Sequence, residues 1–134
     1  MENSNLVEYR GNVLIINMKP FPAPRMVRSD KWKKRPCVMH YHAFRDELQL
    51  ALKKAKFEFK GELHIEFYLE MPKSWKSEKK KQMLGMPHTV KPDIDNLVKS
   101  FMDSFRVNDS FVYRLHTAKW WGYKNAIAIN LDKF

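Results

Sequence analysis

The chain has 134 residues, with 25 Lys and Arg against 15 Asp and Glu, a formal net charge of +10 and a sequence pI of about 9.7. This length suits one domain, residues 1–134, and a hydrophobic fraction of 44% supplies a core and argues against wholesale disorder. The single cysteine, Cys37, excludes an intrachain disulfide, and the positive charge points to a polyanionic partner, usually nucleic acid.

The first ten residues, MENSNLVEYR, carry early acids and no apolar signal core. No apolar run approaches a membrane span, so a cytoplasmic protein without membrane contact is expected. Asn12 to Met18, NVLIINM, is a β-branched run that predicts a buried strand. Pro20 to Pro36 follows as an extended loop, because its four prolines forbid regular structure through most of it. That loop carries Arg25, Arg28, Lys31, Lys33, Lys34 and Arg35 around Trp32, which suits contact with phosphates. Cys37, His40 and His42 lack the paired spacing of a zinc site.

Tyr41, Phe44, Leu48, Ala51, Leu52 and Ala55 recur at helical spacing and predict a helix from about His40 to Lys56. Glu62 to Glu70, ELHIEFYLE, alternates, with Leu63, Ile65, Phe67 and Leu69 on one face. A second basic stretch includes Lys73 and Lys76, then a short helix from Ser77 to Leu84 stopped by Gly85. Leu97, Val98, Phe101, Met102 and Phe105 mark a helix from about Asp95 to Arg106. Phe111 to Trp121 and Ala126 to Leu131 read as two strands joined by the turn GYKN. The expected fold is α+β: a small mixed four-stranded sheet packed with two main helices, in the order β-α-β-α-β-β.

The chemistry concentrates at Lys91-Pro92-Asp93-Ile94-Asp95-Asn96. Pro92 biases Lys91 away from helical geometry, so Asp93 and Asp95 straddle the start of a helix, where their carboxylates can converge. One aspartate there is also an ordinary N-cap, favoured by the helix dipole. On the helical wheel Asp95, Lys99 and Asp103 fall at about 160°, 200° and 240° from Leu97, one ridge along the edge of the apolar stripe. Carboxylates in a basic protein suit a hard cation such as Mg²⁺ facing a phosphodiester, and Lys99 suits charge stabilisation beside it. Asp109, just after the helix, is a candidate third acid, with a plain turn role as its alternative. Lys119 alternates with Phe111, Tyr113, Leu115 and Thr117, which makes it either an edge residue reaching for water or a phosphate contact. Trp75 and Trp32 are expected more as packing residues than as wedges into DNA.

KPDIDNLVKSFMDSF, Lys91 to Phe105, resembles the D-x-D-N-x-x-K pattern of the RusA family of Holliday-junction resolvases. PFPAPRMVRSDKWKKRP and PKSWKSEKKKQMLGMPHTVKPD resemble the segments flanking that motif in phage-type members. The resemblance implies metal-binding aspartates at Asp93, Asp95 and Asp109, and a catalytic lysine at Lys99. It implies a homodimer that resolves four-way junctions by paired nicks with Mg²⁺ or Mn²⁺ and no small-molecule cofactor. The DNA-contacting residues expected from the basic segments and the strand pattern are Arg25, Arg28, Lys31, Lys33, Lys34, Arg35, Lys73, Lys76, Lys91 and Lys119. The chain departs from the pattern in the short link SFRVND and in Asn108-Asp109, where two acids usually adjoin. Asp103 is therefore the alternative third acid. A non-catalytic DNA-binding protein and a nuclease for flaps or forks are the competing functions.

Overall fold

The computed structural model describes residues 6–24, 36–104 and 109–131. In chain order its elements are strands β1 (Val7–Arg10) and β2 (Val13–Ile16), helix α1 (Pro36–Lys54) and strand β3 (Glu62–Glu70). Helices α2 (Ser77–Met83) and α3 (Ile94–Asp103) come next, then strands β4 (Arg114–Gly122) and β5 (Ala126–Asn130). The five strands lie in the order β1-β2-β5-β3-β4, and the β3–β4 pair is parallel while the other pairs are antiparallel.

Alternation decides which sheet face is buried. β2 turns Leu14 and Ile16 inward, β3 turns Leu63, Ile65, Phe67 and Leu69, and β5 turns Ile127 and Ile129. Two helices cover this face. α1 contributes Phe44, Leu48, Ala51 and Leu52, and α3 contributes Leu97, Val98 and Phe101. Burying one such large side chain stabilises by roughly 1.5–3 kcal/mol relative to leaving it in water. α2 buries none of its residues and lies outside this core. Because β3 and β4 are parallel, a crossover must carry the chain back between them, and α3 is the part of that crossover packed on the core.

Four expectations need adjustment. The sheet has five strands, because Val7–Arg10 forms a hairpin with β2 through Gly11 (φ 61°) and Asn12. The first helix begins at Pro36 and not near His40; proline fits a first helical turn, where its missing N–H costs no hydrogen bond. The fourth strand starts at Arg114 and not at Phe111, because Asp109–Phe111 forms a 3-10 turn. Finally, β4 and β5 are not hairpin partners. They flank β3 on opposite sides, and the connection passes around the end of β3. Asn125 holds it there: its Oδ1 accepts the Glu70 N–H at 2.9 Å and its Nδ2 donates to Glu70 Oε1 at 3.3 Å. Met71 N–H donates to Gly122 O at 3.0 Å beside it.

β4 is an edge strand, exposed to pairing with other chains. The segment after α2 covers part of that edge. Gly85 N–H donates to Trp121 O, Trp121 N–H to Met86 O and His88 N–H to Lys119 O, at 2.9, 3.0 and 3.1 Å.

Candidate active site

Helix α3 starts where the sequence places two acids. Asp93 is its N-cap, with extended backbone (φ −71°, ψ 143°), yet its carboxylate makes no capping hydrogen bond. An N-cap aspartate normally spends an oxygen on the N–H groups of the first turn. Here that work is left undone and the side chain stands exposed. Asp95, in the first turn, is also exposed; its Oδ1 accepts the Asn96 N–H at 2.9 Å. The Lys91–Pro92 peptide just before them is cis.

The lead-in to α3 is held by Lys119. Its Nζ donates to Val90 O at 2.5 Å and to Pro92 O at 2.6 Å. Burial pushes this lysine below its ordinary range, and the nearby Asp93 carboxylate opposes the shift. Lys119 thus faces Asp93 while fixing the backbone that presents it. Its register partner on β3 is Phe67, a core residue, so Lys119 projects to the helix-covered face. Sequence alone offered solvent or phosphate as destinations for this side chain. Two backbone carbonyls from a distant segment leave no trace in a local pattern.

The rest of the ridge is partly engaged. Lys99 Nζ lies 4.0 Å from Asp103 Oδ2, the expected pair one turn apart. The Tyr41 hydroxyl, from α1, also donates to Asp103 Oδ2. Burial and that hydrogen bond raise the tyrosine's pKa. Asp103 therefore joins α1 to α3. Asp109 opens the 3-10 turn after the helix, and its side chain lies outside the described part of the structure. Among the described residues, the group of three potential ligands with atoms within 4.8 Å of one another is His64, Glu66 and His116; Asp93, Asp95 and Asp103 do not form one.

The basic residues divide the same way. Arg25, Arg28, Lys31, Lys33, Lys34 and Arg35, with Trp32, lie outside the described residues. Lys73, Lys76 and Lys91 are exposed. Lys73 and Lys91 come together with Lys19 around a cleft of about 490 Å³ that His88, Pro92 and Trp121 also line. Lys19 was not singled out from sequence, since a lone lysine before a proline has no local signature. The cleft adjoins the Asp93 segment through Val90, Lys91 and Pro92. Trp75 packs on Trp121 at 4.9 Å between ring centroids, with Lys79 Nζ over its face at 4.3 Å. His88 is a residue that the sequence reading missed. It is buried against Trp121 at 4.3 Å, with Nδ1 unpartnered among the described atoms.

Residues 17–132 match the family model for endodeoxyribonuclease RusA. The chain belongs to the RusA family. A comparison with curated proteins finds no match. The RusA assignment covers both basic stretches, the candidate site acids Asp93, Asp95, Asp103 and Asp109, and every strand but β1 and β2. It makes the chain one of a family of DNA endonucleases, whose members resolve Holliday junctions and use divalent metals. No helix among the described residues is long and apolar enough to cross a membrane.

Proposed function

We propose that this RusA-family chain is a Mg²⁺-dependent, structure-selective endodeoxyribonuclease that resolves Holliday junctions by paired nicks, acting as a homodimer. The observation that carries the reading is the unspent carboxylate of Asp93 at the start of α3, faced by Lys119 and followed two residues later by Asp95. The donor set fits a hard divalent cation: the carboxylates of Asp93 and Asp95 are exposed, and Asp109 would add a third carboxylate oxygen. Those three residues would hold the ion, with Asp103 as the alternative third acid. When bound, Mg²⁺ (or Mn²⁺) screens the phosphodiester charge and makes water a competent nucleophile near neutral pH.

The chain's own residues supply the remainder. Lys119 fixes the Val90–Pro92 backbone, so the aspartates are presented by a rigid segment and not by a free loop. Lys99, more than half exposed, stands one turn beyond Asp95 and supplies positive charge where a pentacovalent phosphorus gathers negative charge. Lys73, Lys91 and Lys19 line an approach for a phosphate backbone, with exposed Lys76 a further candidate, and phosphate contacts position DNA without reading its sequence. The arginines and lysines between Pro20 and Pro36 are further candidates for phosphate contact. A two-fold dimer presents two such sites to a junction with matching symmetry. Exposed Phe111, Tyr113 and Leu115 near the open part of the β4 edge support association with a second copy.

Strand-resolved cleavage of a synthetic four-way junction tests the proposal, with competing fork, flap, linear duplex and RNA substrates. The expected result is symmetric nicks in two opposed strands, only with Mg²⁺ or Mn²⁺. Single nicks favouring flaps or forks would redirect the reading to another branched substrate. Junction binding without cleavage in any divalent metal would leave a passive DNA-binding protein.

A further inference from the structure

The sheet face opposite the helices carries a second cluster of ligand atoms. Glu66 and His64 alternate with the core residues Leu63, Ile65 and Phe67 along β3, so they project away from α1 and α3. His116 on β4 is the register partner of His64. The two imidazoles stack at 4.0 Å between centroids, tilted by 34°. Both direct Nε2 toward one oxygen, Glu66 Oε2, at 3.1 Å from His64 and 4.0 Å from His116.

The other carboxylate oxygen is separately engaged. Glu66 Oε1 accepts the Trp120 indole N–H at 2.9 Å and the Tyr68 hydroxyl at 3.4 Å. The carboxylate is thus oriented through one oxygen while the other meets two imidazoles, the division that supporting hydrogen bonds give a metal-ligating carboxylate. Ligand separations fit as well. A tetrahedral zinc-like ion with bonds of about 2.1 Å sets its donors about 3.4 Å apart, and the measured 3.1 and 4.0 Å bracket that value.

We propose that His64, Glu66 and His116 form a binding site for one divalent transition-metal ion of the Zn²⁺ class, separate from the aspartate site. Two imidazole nitrogens and one carboxylate oxygen suit Zn²⁺, Co²⁺ or Ni²⁺ and do not suit Mg²⁺. The site lies on the opposite sheet face from Lys119 and the α3 aspartates, and toward the opposite end of β3 from the cleft lined by Leu69 and Glu70. A bound ion ties β3 to the edge strand β4 across their parallel pairing and leaves a coordination position open. It acts as a cross-strand staple and needs no part in phosphodiester cleavage.

Without metal, the same geometry is an imidazole–carboxylate hydrogen bond with a second histidine stacked on it. The two descriptions differ in what they predict. Zn²⁺ and Co²⁺ titrations of the full chain, by calorimetry and by the visible absorption of Co²⁺, should show one ion per chain and a raised Tm. Mg²⁺ should not compete. His116→Ala and Glu66→Gln should each weaken binding by at least about tenfold, while Asp95→Asn and Cys37→Ser bind as the parent does. His116 is more than half exposed, so its replacement leaves the fold intact, with circular dichroism as the check. Absence of stoichiometric binding, unchanged affinity in both ligand variants, or loss of the signal in Cys37→Ser would each overturn the assignment.

Discussion

Asp93 and Lys119 show how a single residue's chemistry depends on partners far away in sequence. The carboxylate of Asp93 does not cap its helix; the ammonium of Lys119 spends two of its three protons on Val90 and Pro92 carbonyls. Replacing Lys119 with Met leaves those acceptors unpaired in a partly buried setting, at a cost of about 1–3 kcal/mol. It also frees the Asp93 segment. The expected outcome is a lower Tm and nicking that needs more Mg²⁺ for half-maximal rate. An unchanged Mg²⁺ requirement would mean that Lys119 only stabilises the fold. His88 gives a pH prediction. Burial, aided by the charge of Lys119, holds its pKa below the ordinary 6.5. As pH falls below 6.5, the unfolded chain takes up this proton before the folded one, so stability is lost through that window until the folded pKa is passed. Thermal unfolding between about pH 7.5 and pH 5 should therefore show a smaller decline in His88→Gln than in the parent.

Among the elements, β3 and the helices were legible because each has one apolar face of the right period. Glu62 to Glu70 emerged with the expected bounds, and the buried residues of α1 and α3 include most of their predicted stripes. What escaped was pairing. GYKN is good turn chemistry for a hairpin, but the same residues allow the chain to step around β3, and the choice is made by Asn125 bonding to Glu70. Asn125→Ala should cost about 1–2 kcal/mol, near 1 for each lost bond, read as a shift in denaturation midpoint. β1 escaped for a related reason: a short, half-exposed edge strand carries little alternation. Gly61 is a sharper test of the loop before β3. Its φ is +88°, and an added Cβ would meet the Tyr113 ring at 3.0 Å and Phe111 O at 3.2 Å. Gly61→Ala should destabilise by about 1–3 kcal/mol.

For the whole molecule, charge and fold divide the labour. A net charge of +10 favours approach to DNA, whereas in the proposed function the sheet and α3 hold a few acids where the phosphate would arrive. The acidic motif was legible because Asp93, Asp95 and Lys99 lie close together in sequence. The second cluster was not, since His64 and His116 are separated by most of a crossover and meet only through the parallel register of β3 and β4. Affinity for a junction should fall steeply and log-linearly with salt as phosphate contacts release counterions; a flat response in a salt titration would remove the basic segments from the account.

The most direct test compares the parent with Asp95→Asn on one labelled four-way junction in Mg²⁺, with binding and nicking measured side by side. The expected result is junction affinity within about twofold of the parent, because phosphate contacts come from cationic and neutral donors and not from a carboxylate, and nicking reduced by at least about a hundredfold, the scale of losing one charge-stabilising group. Parent-like nicking by Asp95→Asn would contradict it.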